Sequence, residues 1–245
     1  MTPAVTIVLP ILIREPWQKM MTESCIKIMQ STTQVPYELI VVETQSRELD
    51  PTEHGPTSGN GAWWNYRYIH RPERTSLVAD LNAGIDAASG DYIGWIGNDI
   101  ITKPGWLEAL LDCFTRYQDC GIASLAAQEV GAALNHQPGD FIIEGWYGPL
   151  VLFKKGWRLD EAAGILCESD LIMQLYHAGL RAYRNHKVVI LHLYQQTFAN
   201  ESGWNDERAQ RETRQRFMER WGSSPLWAAS MILRGGVIFG KEYDR

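Results

Sequence analysis

The stretch Gly90–Leu110, GDYIGWIGNDIITKPGWLEAL, decides how the rest of the chain is read. Tyr92–Ile96 is a short apolar run bounded by turn-forming residues, the pattern of a buried strand, and the spacing after Pro104 is that of a helix. Between the two stand Asn98 and Asp99. A carboxylate that ends a buried strand needs a helix N-terminus, a basic partner or a cation to offset its desolvation. Two readings are open on the residues alone. Asp99 caps the following helix, against which Pro104 places the helix start several residues downstream. Otherwise Asn98 and Asp99 offer the hard oxygen ligands that a divalent Mg or Mn ion bridging phosphates requires.

Outward from this stretch the first half of the chain alternates. It reads as strand Val5–Ile11, helix Trp17–Ser31, strands Glu38–Glu43 and Tyr66–His70, helix Ser76–Ser89, strand Tyr92–Gly97, helix Pro104–Tyr117 and strand Ile122–Ala126. This order predicts an α/β fold, a parallel sheet with helices on both faces. Such sheets bind ligands beyond the carboxyl ends of their strands, where strand order reverses, so one crevice could hold both Glu43 and Asp99. The polar segment 44–65 is long for a connection, and reads as a surface excursion or a loop over a ligand. The second half is less regular: strands Phe141–Ile143 and Pro149–Phe153, helix Glu168–Ala178, strand Val188–Leu191 and a charged helix Asn205–Trp221. No repeat or linker divides the chain. The expectation is a single domain over 1–245, with a nucleotide-type half (1–127), an irregular half (128–204) and a C-terminal helical extension (205–245).

The 245 residues are 45% hydrophobic and 21% charged, an ordinary globular balance. A formal net charge of -6 gives no general attraction to nucleic acid or anionic lipid. Cys25, Cys113, Cys120 and Cys167 follow no ligand spacing and lie in apolar segments, as buried free thiols do. The first strand begins near Met1 with no basic, small-residue leader pattern, and no apolar run reaches spanning length, so a cytoplasmic protein without a transmembrane segment is expected. Oligomeric state is open, a homo-oligomer included.

Taken in order, VTIVLPI, YELIVVETQS, ADLNAGIDAASGDYIGWIGND, KPGWLEALL and LDEAAGILCESDLIMQLYHAGLRAY resemble the inverting GT-A glycosyltransferases of family 2 up to about residue 195. The resemblance implies a GT-A-like, Rossmann-like α/β fold with a predominantly parallel mixed sheet flanked by helices on both faces. Residues 1–127 would then bind the nucleotide-sugar, and 128–204 would carry the acceptor and catalytic groups. Asp99 takes the place of the family's metal-binding aspartate, with Asn98 as a donor-sugar or ribose contact, although Gly97 stands where the first Asp is usual. Glu43 falls where an Asp accepts a hydrogen bond from the base; a solvated strand-end charge is its other reading. Pro10 matches the turn along the nucleotide, which lacks the usual Tyr and Asn here. Asp80 and Asn82 match the segment facing base and ribose, and Asn82 is equally a helix-packing polar residue.

Inverting transfer needs a carboxylate opposite the leaving diphosphate. CESDL matches the element that supplies it, which gives Glu168 as base and Asp170 as the second candidate; both also suit the first turn of a helix electrostatically. Trp146 and Tyr147 match a segment lining the acceptor and sugar pocket, and otherwise read as core aromatics. His192 ends a late strand, where the family often places a His on the metal or diphosphate and where a structural histidine is also common. Arg208, Arg211, Arg214 and Arg216 lie on the charged helix, which reads as a salt-bridged surface or, secondarily, as a contact for an anionic acceptor.

The function so implied is metal-assisted transfer of a sugar from a nucleotide-diphosphate-sugar donor, UDP- favoured and GDP- allowed, to an acceptor hydroxyl on a glycan, lipid-linked saccharide, protein or modified nucleobase. The cofactor is a divalent cation, Mn or Mg. A nucleotidyltransferase shares the layout, but LPILIREPWQK carries no glycine-rich loop. A non-catalytic nucleotide- or sugar-binding module with a degraded site is the alternative.

Overall fold

A computed structural model describes residues 4–49, 64–73, 75–130, 138–145, 149–193 and 207–222. The elements are β1 (Val5–Ile11), α1 (Pro16–Thr32), β2 (Tyr37–Thr44), β3 (Trp64–Arg71), α2 (Leu77–Ala87), β4 (Tyr92–Ile96), β5 (Ile100–Ile101), α3 (Trp106–Arg116), β6 (Cys120–Glu129), β7 (Ile142–Glu144), β8 (Leu150–Lys154), a 3-10 turn (Glu161–Leu166), α4 (Cys167–His177), β9 (Arg181–His192) and α5 (Glu207–Trp221). One sheet runs in the order β3-β2-β1-β4-β8-β6-β9-β5, with β7 also on β9. Strands β1 to β4, β6 and β9 point one way, while β8, β5 and β7 run against their neighbours. The sheet is therefore mixed and mostly parallel, as expected.

β1 has β2 on one side and β4 on the other, so strand order reverses there, the point at which such sheets bind ligands. β1 and β2 are buried on both faces, which is why they read as continuous apolar runs. On one face α1 and α3 pack Cys25, Ile26, Met29, Trp106, Leu107 and Leu110 against Ile7, Leu9 and Leu39. On the other, α2 and α4 pack Leu81, Ile85, Leu171 and Leu175 against Val8, Ile93, Ile122 and Phe153.

Local chemistry sets the helix starts. Pro16 opens α1, and the Gln18 side chain turns back to accept from the Arg14 and Glu15 backbone amides. Ser76 caps α2 by accepting from the Ala79 amide. Pro104 forms a turn, not the helix start. Gly105 then adopts a left-handed φ of 83° and α3 begins at Trp106.

The largest difference from the sequence reading is β9. It was expected over Val188–Leu191, yet it begins at Arg181. Its polar first half pairs with β6 on one side and β7 on the other, so backbone bonding holds residues whose side chains do not read as strand. None of the described helices is long and apolar enough to cross a membrane.

Candidate active site

Asp99 does not cap a helix. After β4 the chain turns through Gly97–Asp99 into β5, and the Asp99 carbonyl accepts from the Leu193 amide at 2.9 Å. β5 pairs with β9 so that Ile100 lies opposite His192. The two candidates from distant parts of the chain thus meet: His192 Nε2 stands 3.3 Å from Asp99 Oδ2, with 6% and 8% of the residues exposed. Neighbouring ligands of a cation with bonds of about 2.1 Å are about 3 Å apart, so this oxygen and nitrogen fit two adjacent positions. Among the described residues no group of three or more His, Cys, Asp or Glu side chains could hold a metal ion by itself. Cys25 lies beneath, its thiol pushed up to about 12 by burial and then by the charge of Asp99, so it packs as an inert apolar group.

Asn98 donates to Thr22 Oγ1 of α1 at 2.9 Å. It lines an open, mostly apolar groove of about 540 Å³ with Trp17, Met20, Ile101 and Leu193.

The carboxyl end of β2 carries a second polar group. Glu43 is fully buried, so it is not a solvated strand-end charge. Its carboxylate accepts from the Tyr68 hydroxyl at 2.6 Å, the Glu48 amide at 2.7 Å and the Leu49 amide at 3.3 Å. It folds the start of the segment after β2 under itself. Asp80 in α2 accepts from Thr75 and from Thr44 at 3.3 Å, and lies 3.5 Å from Arg71 Nε. Burial raises its carboxyl, and Thr75, Arg71 and Thr44 pull it part of the way back. Asn82 is buried and spends its amide on the main chain of Leu159, donating to the carbonyl at 3.0 Å and accepting from the amide at 3.1 Å. That bond ties α2 to the approach to the 3-10 turn, the helix-packing role. Pro10 lies within β1 opposite Val42, beyond the last β1–β4 pair, Val8–Trp95.

Across the sheet, α4 separates the two carboxylates that the sequence left together. Asp170 is 1% exposed and accepts from Trp221 Nε1 at 2.7 Å and Gln174 Nε2 at 2.8 Å, with Arg220 Nη1 3.1 Å away. It anchors α5 to α4. Glu168, one turn before Leu171, is half-buried and makes no hydrogen bond or ion pair among the described residues. Burial alone pushes its carboxyl from 4.5 up to about 7, the range that suits a general base at neutral pH. Of the charged helix, Arg208 and Arg216 pair with Glu212, and Arg220 with Asp160 and Asp170. Trp146 and Tyr147 lie outside the described residues.

The sequence reading missed Tyr68, which holds Glu43, and Ser124 and Arg184, which share the α4 face of the sheet. Arg184 lies in the unrecognised first half of β9, so no periodic signal assigned it to a face.

The mannosyltransferase PcManGT from Pyrobaculum calidifontis, in complex with GDP-Man and Mn2+, superimposes with a TM-score of 0.66 at 15% identity, over 95% of this chain and 68% of that one. S. aureus TarS 1-349 gives 0.55 at 9% identity, over 77% and 60% of the two chains. A mycobacterial protein gives 0.57 at 16% identity, over 90% and 75%. At these identities the likeness is one of fold. No curated protein matches the sequence. The sequence model for glycosyl transferase family 2 matches residues 6–164, most of the chain, and the protein belongs to that family.

Proposed function

We propose that the chain is an inverting glycosyltransferase that uses a nucleotide-diphosphate-sugar and a divalent cation, with Glu168 as the base. The observation that carries this reading is the buried Asp99–His192 pair at 3.3 Å, in which Asp99 follows β4, the neighbour of β1 where strand order reverses, and His192 ends β9. These two side chains would hold Mn or Mg against the donor diphosphate, and the bound cation would offset the charge that develops on the leaving group.

The protein's own groups do the rest. Glu168 takes the proton of the acceptor hydroxyl as that oxygen bonds to the anomeric carbon, while the bond from that carbon to the diphosphate oxygen breaks with its electron pair. A carboxyl near 7 is partly ionised at neutral pH and basic enough to accept that proton. Asp170 positions α4 and takes no proton. Asp80 and Glu43 shape the end of β2 where the base of the nucleotide is expected, with Pro10 beside them.

The test is thermal stability with UDP, GDP, UDP-sugars and GDP-Man, each with Mn, Mg or chelator, in wild type, Asp99→Asn and His192→Ala. A cation-dependent rise with one nucleotide that Asp99→Asn abolishes supports the donor site. An equal rise in Asp99→Asn refutes it. Release of nucleoside diphosphate from the matching sugar then separates an enzyme from a module that binds without turnover.

A further inference from the structure

Arg184 is the one charged side chain on the α4 face of the sheet, besides Glu168, for which the described residues provide no hydrogen bond or ion pair. Its Nε is buried without a partner. Directly opposite, across the parallel β6–β9 pair, stands Ser124, fully buried and with a hydroxyl that also lacks a partner. Strand alternation places both on the face of Ile122 and Ala182, which pack against α4, and opposite to Ala123 and Tyr183, which pack on the α3 side. Buried polar groups in folded proteins are ordinarily satisfied, and a desolvated guanidinium costs free energy until an anion meets it. Burial lowers the Arg184 guanidinium below its usual range for that reason.

The same face holds Glu168 at a matching height. A side chain at Gly121, near the start of β6, would touch Leu175. Glu168 lies seven residues before Leu175 in α4, about 10 Å along a helix, and Ser124 lies three residues beyond Gly121, about 10 Å along a strand. α4 runs against β6, because Gly121 also touches Leu180 just after the helix and Arg181 bonds to the Asp119 carbonyl. Glu168 shares its helix face with Leu171, Ile172 and Leu175, which lie on the sheet. These rises set Glu168 of α4 and the Arg184–Ser124 pair of β9 and β6 toward the same end of the α4–sheet packing, on the β6–β9 side.

We propose that Arg184, assisted by the Ser124 hydroxyl, binds an anionic group, a phosphate or a carboxylate, on the acceptor whose hydroxyl is presented to Glu168. This rests on the reading of Glu168 as base, and it narrows the acceptor to an anionic class. A guanidinium suits either anion through paired N–H donors, and a serine hydroxyl adds one more.

The probes are glycerol 3-phosphate for the phosphate arm, glycerate for the carboxylate arm and neutral glycerol as control, titrated into the full chain by calorimetry. Wild type should bind one of the two anions and not glycerol. Arg184→Gln should weaken that binding about ten- to hundredfold, Arg184→Lys should keep part of it, and Glu168→Gln and Asp99→Asn should retain it. Arg184→Gln should keep or raise the melting temperature, since it removes a half-buried charge whose Nε has no partner. No binding of either anion by wild type, equal binding by Arg184→Gln, or a fall of several degrees in both Arg184 variants overturns the proposal. Failure of donor binding in Asp99→Asn with anion binding intact leaves this site standing while testing the catalytic reading separately.

Discussion

Glu168→Gln should separate function from stability at the start of α4. Glu168 is half-buried without a partner among the described residues, and burial raises its carboxyl from 4.5 to about 7. The folded state thus keeps this proton over a range in which the unfolded chain has released it. The contribution is fully favourable below about pH 4.5 and is lost as pH rises through 7, so wild type weakens across that window. At about 1.4 kcal/mol per pH unit the loss is about 3 kcal/mol, reduced toward 2 kcal/mol by the solvent that reaches a half-buried side chain. Glutamine has the same shape and no charge. At pH 8 the variant should therefore melt about 4–12 °C above wild type, whereas at pH 4.5 the two should coincide. The assay is calorimetric or urea unfolding from pH 4.5 to 8.5. A difference between the two proteins that does not change with pH refutes an uncompensated carboxyl at this position. The same variant should lose sugar transfer and keep donor binding, a residue at which activity opposes stability.

Asp170→Ala removes the acceptor for Trp221, Gln174 and Arg220 and should cost about 2–3 kcal/mol, read as faster amide exchange over 207–222 with β1 to β4 unchanged. Unaltered exchange in α5 would mean that Asp170 is not its anchor. Gly94→Ala places a methyl group 2.1 Å from the Val151 carbonyl oxygen, where β4 and β8 run side by side. It should cost about 2–3 kcal/mol in urea unfolding, and a silent substitution would show that the two strands can part there.

Several features were legible because they are local. β1 was read with its observed bounds, and the strand before Asn98 was read to within one residue, because two-sided burial leaves a continuous apolar run. The helix read from Ser76 starts one residue later, at Leu77, with Ser76 as its N-cap. The polar half of β9 could not be read, because its pairing with β6 and β7 is made by backbone atoms that carry no sequence pattern. Asn82 carried both readings in the sequence, and the helix-packing one became visible only when Leu159 was seen beside it.

The sequence by itself determined that an α/β sheet carries Glu43 and Asp99 at its strand ends and that an acidic pair opens α4, since each follows from short-range apolar periodicity and turn chemistry. Only the tertiary structure decided that His192 meets Asp99, that Asp170 is consumed by α5 while Glu168 stands alone, and that Arg184 and Ser124 share its face. Those outcomes depend on sheet order, on β8 entering antiparallel between β4 and β6, and on which face each side chain takes. Such contacts join residues far apart in the chain, and hydrophobic pattern alone does not encode which distant strands become neighbours.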